Sequence, residues 1–270
     1  MTIQKIKYGF RLLMNNDFDL KNKFRRTFKK SKIKFILTPK IKFNIDRKSY
    51  VAFSQFTYLN PEMAEEMKSF LKLTDAKICL LDIGALYGIF SLAFTCNNPK
   101  KSAYAMEPSS KPFNLLGYHK KINSLCNIKP FQLALGSQDG KLKMKYEWQH
   151  LVALSNNEET VNYTEVDVTK LDNFLKKHNI IPDCVKIDTE GFEYDVLKGG
   201  SQYFLKHNPI IFLEVHIPLL KQHGLSAQKL EKLIYSFGYK IYNLKHNLIK
   251  SPSLFFNKNP NGRVVCIKNE

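Results

Sequence analysis

The segment from Ile78 to Phe90 reads ICLLDIGALYGIF, an apolar run that ends on Asp82, turns through Gly84 and Gly88, and continues into a second apolar segment. A short Ile/Leu-rich run ending on an acid reads as a buried parallel strand. Glycines directly after it let backbone approach a ligand with no Cβ in between. Open α/β sheets bind ligands at the carboxyl ends of such strands. The spacing then narrows the ligand. Dinucleotide sites use GxGxxG to bring backbone N–H groups against a pyrophosphate. Here the glycines are four apart, in GALYG, with an acid two residues before the first. An acid beside the turn repels phosphate and suits an ammonium or sulfonium cofactor such as S-adenosylmethionine.

Residues 78 to 96 form a 19-residue stretch whose only charge is Asp82, long enough to suggest a membrane span. An Asp near the middle of a span costs about 2.5–3.5 kcal/mol, and two glycines would sit inside the helix. A strand, a turn and a buried helix account for it better. Near the N-terminus Lys5, Lys7 and Arg11 interrupt any continuous apolar core, so no signal peptide is expected. At 270 residues, 44% hydrophobic and 24% charged, the chain suits one large α/β domain with an extension. Its five cysteines are scattered with no CxxC pair, as expected of reduced core residues in a cytoplasmic protein.

The net charge of +18 is concentrated at one end, since residues 1–50 carry 15 Lys or Arg against 3 acids. We therefore expect a basic N-terminal extension over 1–50 and the main domain over 51–270. Ile3, Ile6, Phe10 and Leu13 lie at helical spacing among basic residues, and Phe24, Phe28 and Ile33 are interleaved with the basic run 21–34. Such a segment either packs its aromatics on the domain behind it or attaches residues 1–37 to an anionic membrane surface. Nucleic acid is the least expected partner.

Beyond the extension, IKFNID and SYVAFSQF suggest a hairpin around Asp46–Lys48, and Pro61 opens a helix to Leu73. Strands follow at 78–82, at SAYAME ending on Glu107, and at IKPFQLAL ending at Gly136, with helices at 88–96 and 108–123 between them. Residues 141–168 break the alternation with two strand-like pieces, read as an inserted hairpin around a polar loop at 149–160. DCVKID ends a fourth strand on Asp188, Phe192–Lys206 reads as one helix, and PIIFLEVH ends a fifth strand at Glu214 and His216. A helix from Ser226 and the strands YKIYNL and RVVCIK complete the pattern. Strands alternating with helices imply a doubly wound, mostly parallel sheet.

Asp82, Glu107, Asp188 and Glu214 then share one sheet edge. Glu107 lies 19 residues after Gly88, where a mononucleotide-binding unit places an acid that accepts both ribose hydroxyls. The plainer alternative is that it caps the helix opening at Pro108.

Taken in order, DIGALYGIFS, AMEPSSKPFNLLGYHKKIN, FQLALGSQDGKL, VDVTKLDNFL, VKIDTEGFEYDVLKGG and PIIFLEVH resemble the FkbM family of S-adenosylmethionine-dependent methyltransferases, over roughly residues 78–218. This sequence departs from the family at Leu86, usually Asn, and at Gly117 and Tyr118, usually two basic residues. The resemblance implies a Rossmann-like methyltransferase fold, a seven-stranded sheet with an antiparallel last strand, and methyl transfer to a hydroxyl of a sugar, glycan, glycolipid or other small molecule. It places the methionine end of the cofactor at Asp82, Gly84, Ala85, Tyr87 and Gly88, the ribose at Glu107, and the adenine at Ala134 and Leu135. Asp188 and Glu190 face the methionine end or the acceptor.

A sulfonium is already an activated electrophile, so the protein must align an acceptor oxygen and take its proton. His216, at a ligand-facing strand end and able to be neutral near pH 7, is the first candidate base, with Asp188 or Glu190 as alternatives. A divalent cation on Asp188, Glu190, Glu214 and His216 is conceivable from the donor types, but no metal is expected. Glu193 and Asp195 read as helix-start charges, and Trp148 and His150 as local packing beside the hairpin. Two rival functions are a nucleic-acid methyltransferase, suggested by the basic N-terminus, and a non-catalytic membrane-surface adaptor built on the same scaffold.

Overall fold

The structure is a computed structural model that describes residues 32–147, 150–153 and 163–268. The predicted helix over 1–14, most of the basic run 21–34, Trp148 and most of the loop 149–160 lie outside the described residues. A hairpin of β1 (Lys32–Ile36) and β2 (Lys42–Asp46) leads into α1 (Tyr50–Ser54), which continues through a π-turn at Gln55–Leu59 towards α2 (Pro61–Leu73). The alternation follows with β3 (Cys79–Ile83), α3 (Ile89–Thr95), β4 (Ser102–Met106), α4 (Ser110–Ile122) and β5 (Ile128–Phe131). After β6 (Ala134–Gly136), β7 (Gly140–Glu147), β8 (His150–Ala153) and β9 (Thr164–Lys170), it resumes with α5 (Leu171–His178), β10 (Cys184–Ile187), α6 (Glu193–Gly199), α7 (Ser201–Lys206) and β11 (Ile210–His216). The chain continues through α8 (Ile217–Gln222), α9 (Ala227–Ser236), β12 (Tyr239–Tyr242), α10 (Pro252–Lys258) and β13 (Asn261–Lys268).

Seven strands form the central sheet in the order β12-β13-β11-β10-β3-β4-β5. The strands from β11 to β5 are parallel neighbours, and β13 runs antiparallel between β11 and β12. This is the Rossmann-like methyltransferase architecture. The chain winds outward from β3 to β5, then returns to β10 on the other side of β3. That reversal leaves a crevice at the carboxyl ends of β3 and β10.

The sheet is buried on both faces, which is why CLLDI reads as a continuous apolar run. Leu80 packs in one core with Ala103, Phe212 and Phe70, while Leu81 packs in the other with Val185, Leu213 and Phe204. At α2 the Asn60 side chain accepts from the Glu62 and Met63 amides and Pro61 occupies the first turn, the arrangement a helix start requires. No helix among the described residues is long and apolar enough to cross a membrane. All five cysteines are free.

Four expectations need correction. The hairpin pairs β2 with the upstream β1, and SYVAFSQF is helical, because Asp46 accepts the Lys48 amide and starts a turn that buries Phe53. IKPFQLAL is two strands, and β6 leaves the main sheet to pair with β9. The pieces read as an inserted hairpin do pair, as β7 with β9, but they belong to a four-stranded sheet β6-β9-β7-β8. The helix 192–206 breaks at Gly199 and Gly200, where α6 presses on β6. A Cβ on Gly199 would stand 1.7 Å from the Gly136 carbonyl oxygen.

Candidate active site

The crevice is a cleft, partly open to solvent, that runs along the carboxyl ends of β10, β3 and β4 to the segment after β5. Its lining includes Gly84, Leu86, Glu107, Leu133, Ala134, Leu135, Leu142, Met144, Asp188, Thr189 and Glu190. One lining therefore combines Asp188 and Glu190 after β10, Glu107 after β4, and apolar Leu133, Ala134, Leu135, Leu142 and Met144.

The turn after β3 is held by its own amides. Gly84 and Ala85 both donate to the Met106 carbonyl, at 3.0 and 2.9 Å, and Gly88 donates to Ala85 at 2.7 Å. The Leu86 amide donates to Glu107 Oε2 at 2.9 Å. These four N–H groups are therefore spent inside the protein. Gly84 has φ +79° and a Cβ there would meet the Asp188 carbonyl oxygen at 1.8 Å, so glycine is required for β3 and β10 to close on each other. Leu86 holds φ 48° without that freedom, a left-handed position where Asn is less strained.

Glu107 is buried, and its other oxygen accepts the Ser109 amide at 2.8 Å. Burial raises its pKa to about 7, against the lowering from the Ser109 and Leu86 hydrogen bonds. A carboxylate has about four acceptor sites, so Glu107 can accept a hydroxyl donor beside these amides. Glu107 thus both anchors the turn and lines the cleft.

The predicted residues fall into two groups. Gly84, Glu107, Ala134, Leu135, Asp188 and Glu190 line the cleft, whereas Asp82, Ala85, Tyr87, Gly88 and His216 stand behind it. Asp82 is buried, accepts the Ser91 amide and hydroxyl at 3.2 and 2.6 Å, and leaves Oδ1 unpartnered. Burial raises it to about 6. Gly88 serves packing, since a Cβ there would meet Leu116 at 2.2 Å. The Tyr87 carbonyl lies 2.9 Å from His119 Nδ1.

His216, the first candidate base, sits among four carboxyl groups. Its Nδ1 lies 2.9 Å from Glu193 Oε1, and its Nε2 lies 3.3, 3.6 and 4.0 Å from Glu190, Glu214 and Asp188. Burial opposes the charge, but the hydrogen bond to Glu193 and the carboxylates of Glu193, Asp188 and Glu190 outweigh it and raise the ring to about 10. An imidazolium has no lone pair for a substrate proton. Glu193, read as a helix-start charge, is fully buried and also accepts the Gly191 amide at 2.8 Å.

Behind these groups lies an ionic network that the sequence reading missed. Lys186 Nζ is buried in β10, 3.1 Å from Glu66 Oε1 and 3.5 Å from Asp188 Oδ2. Arg263 of β13 reaches Glu66 at 3.1 Å, Glu62 at 3.5 Å, and Glu214 through its Nη2. Burial opposes the Lys186 charge, yet Glu66, Asp188 and Glu214 hold it protonated. Burial also disfavours the Asp188 carboxylate, but Lys186 and His216 pull it down to about 2. Glu214 moves the other way, driven up by burial and by the charge of Asp188. The signal available beforehand was a lysine inside VKID, because a charge in a strand buried on both faces demands an acid opposite. Asp188, Glu214 and His216 place ligand-type atoms within 4.8 Å of one another, but Lys186 and Arg263 already meet the two carboxylates with opposing charge.

The methyltransferase FkbM domain model matches residues 82–241, more than half of the chain. The chain belongs to the FkbM methyltransferase family. Methyltransferase 1 of Beauveria bassiana (strain ARSEF 2860) is 24% identical over 148 residues, which cover 44% of this chain and 57% of that protein. The solved methyltransferase FkbM from Methylobacillus flagellatus KT aligns with a TM-score of 0.45 and 16% identity, over 71% of this chain and 43% of that one. An O-methyltransferase from Bacillus cereus, solved in complex with SAH, aligns with a TM-score of 0.46 and 10% identity, over 82% and 88%. The chain thus spans little more than half of the first relative and less than half of the second.

The methyl donor of an FkbM methyltransferase is S-adenosylmethionine, and the cleft's donor set fits it. Glu107 offers acceptors for a ribose diol, the Leu133–Leu135 end is apolar enough for adenine, and Asp188 and Glu190 carry charge opposite to that of a sulfonium and an ammonium. The spent amides of the turn suit a cofactor that brings no phosphate.

Proposed function

We propose that this chain transfers a methyl group from S-adenosylmethionine to a hydroxyl oxygen of a sugar, glycan, glycolipid or other small molecule. The observation that carries this reading is the make-up of the cleft lining: apolar Leu133, Ala134 and Leu135, buried Glu107, and the carboxylates of Asp188 and Glu190, the latter 3.3 Å from buried His216. When bound, the cofactor supplies an electrophilic methyl carbon. The protein's share is alignment and the proton.

Asp188 is already committed to buried Lys186 at 3.5 Å, so it is not the group we assign to the proton. Its charge instead faces the cationic end of the donor. Glu190 lines the cleft 3.3 Å from His216 Nε2, and it is the group we assign to take the proton of the acceptor hydroxyl. His216, held charged by Glu193, is a positioning residue that fixes both carboxylates.

Calorimetry with S-adenosylhomocysteine tests the donor half, and transfer of labelled methyl to a panel of saccharides and glycolipids tests the acceptor half. We expect binding by the wild-type protein and at least a hundredfold lower turnover in Glu190→Gln. A protein that binds no S-adenosylhomocysteine, or a Glu190→Gln variant with native turnover, overturns the respective half. Methyl transfer to RNA or DNA in preference to every small acceptor overturns the substrate class.

A further inference from the structure

The unit ahead of the central sheet leaves apolar side chains in water. In α1 and the π-turn, Phe53 and Phe56 face inward, and Phe56 packs edge-on against Phe90 at 5.3 Å. Tyr50, Val51, Tyr58 and Leu59 are left outside, exposed by 40%, 42%, 63% and 38%. These four form one surface, since Tyr50 and Tyr58 share a hydrogen bond at 3.3 Å between their hydroxyls and each is the chain neighbour of one aliphatic. Exposed Arg47 and Lys48 precede this surface directly and residues 32–60 hold six Lys or Arg against one Asp, while Glu62 and Glu65 follow it in α2. π-turns are rare and gather at functional sites.

The patch is also linked through ion pairs to the network behind the candidate site. Leu59 is followed by the cap of α2, and Glu62 in the first turn of that helix pairs with Arg263, which binds Glu214 beside His216. Tyrosines with aliphatics and a basic surround are the composition that seats at a headgroup boundary, the rings at the interface and the cations over anionic lipid. We propose that Tyr50, Val51, Tyr58 and Leu59 dock this protein on an anionic lipid bilayer, which presents a lipid-linked acceptor to the cleft. The kind of acceptor rests on the methyltransferase reading above; the docking surface does not.

The test uses the full chain with vesicles of phosphatidylcholine alone or with phosphatidylglycerol, in parallel with S-adenosylhomocysteine calorimetry, thermal melting and sedimentation velocity. Wild-type protein is expected to sediment with anionic vesicles at least tenfold more strongly than with neutral ones. Tyr58→Asp/Leu59→Asp is expected to lose at least tenfold of that binding, with melting and S-adenosylhomocysteine affinity unchanged. Val51→Asp, on the adjacent turn, is a second variant expected to behave alike. Wild-type protein that ignores anionic vesicles overturns the proposal. So does a folded variant that binds them as wild type does, because attachment then runs through residues 1–31. A change from dimer to monomer with vesicle binding intact also overturns it, assigning the patch to a second copy of the chain. Loss of S-adenosylhomocysteine binding in the wild-type protein would count against the methyltransferase reading and leave the docking result standing.

Discussion

Glu107→Gln separates the two duties of this carboxyl, anchoring the turn and meeting the ribose. Burial lifts the wild-type acid from 4.5 to about 7. A raised acid contributes stability that is fully present below pH 4.5 and is lost as pH rises through 7. At 1.36 kcal/mol per pH unit the loss amounts to about 3 kcal/mol. Glutamine carries no charge to desolvate, so it escapes this loss. It has one carbonyl oxygen for two amides, those of Leu86 and Ser109, and one of them would face an NH₂ group. That mismatch costs about 1–3 kcal/mol at every pH. The variant is therefore expected to melt below wild type near pH 5, with the gap closing or reversing by about pH 8.5, a swing of roughly 6–12 °C. Asp82, raised to about 6, titrates in the same window in both proteins, so only its Coulomb coupling to Glu107 enters the difference. In calorimetry the variant should bind S-adenosylhomocysteine at least tenfold more weakly, because hydrogen bonds to a charged acceptor are worth about 1.5–3 kcal/mol. A melting difference that stays constant across this range refutes the burial argument, and undiminished binding refutes the ribose assignment.

Three further outcomes follow from the same geometry. Gly84→Ala places a methyl group into the Asp188 carbonyl at a left-handed φ, and should lower stability by more than about 4 kcal/mol or yield insoluble protein; a native melting curve would contradict the packing described. Nitrogen NMR of His216 should show the ring protonated through pH 8 and deprotonating near 10, whereas a titration near 6.5 would restore it as a candidate base. The ring's contribution to stability, present below its ordinary value, should fade as pH rises through about 10. Lys186→Met strands the Glu66 and Asp188 carboxylates in a buried setting and should cost about 3–5 kcal/mol, with Glu66→Leu in the same chain recovering part of it; additive costs in a double-mutant cycle would refute the coupling.

Much of this fold was legible as text because parallel strands buried on both faces must be nearly continuous apolar runs. ICLLDI, SAYAME, DCVKID and PIIFLEVH could be little else, and their terminal acids marked the sheet edge that carries the cleft. Glu107 was legible for a second reason: strand and helix lengths fix its distance from the glycine turn. Places where the reading failed share another cause. SYVAFSQF satisfies strand alternation and helical burial equally, and only the Asp46 turn and the pocket for Phe53 chose between them. FQLAL gave no sign that β5 and β6 part into different sheets, since partners are chosen by register with strands far along the chain.

The sequence by itself determined the fold class, the sheet edge that carries the cleft and the family, because each rests on local patterns: apolar period, glycine spacing and acids at strand ends. Tertiary structure alone decided the charge state of the site. Glu62 and Glu66 from α2, Arg263 from β13, and Glu193 from α6 converge on Asp188, Glu214 and His216 only when the sheet is closed. Glu62, Glu66 and Arg263 lie outside the matched span 82–241. A histidine at a strand end reads as a neutral base until its neighbours are known. Coulomb interactions in a buried site depend on distances of a few ångströms between residues from 23 positions apart, as His216 and Glu193, to 197, as Glu66 and Arg263, and no spacing along a chain encodes them.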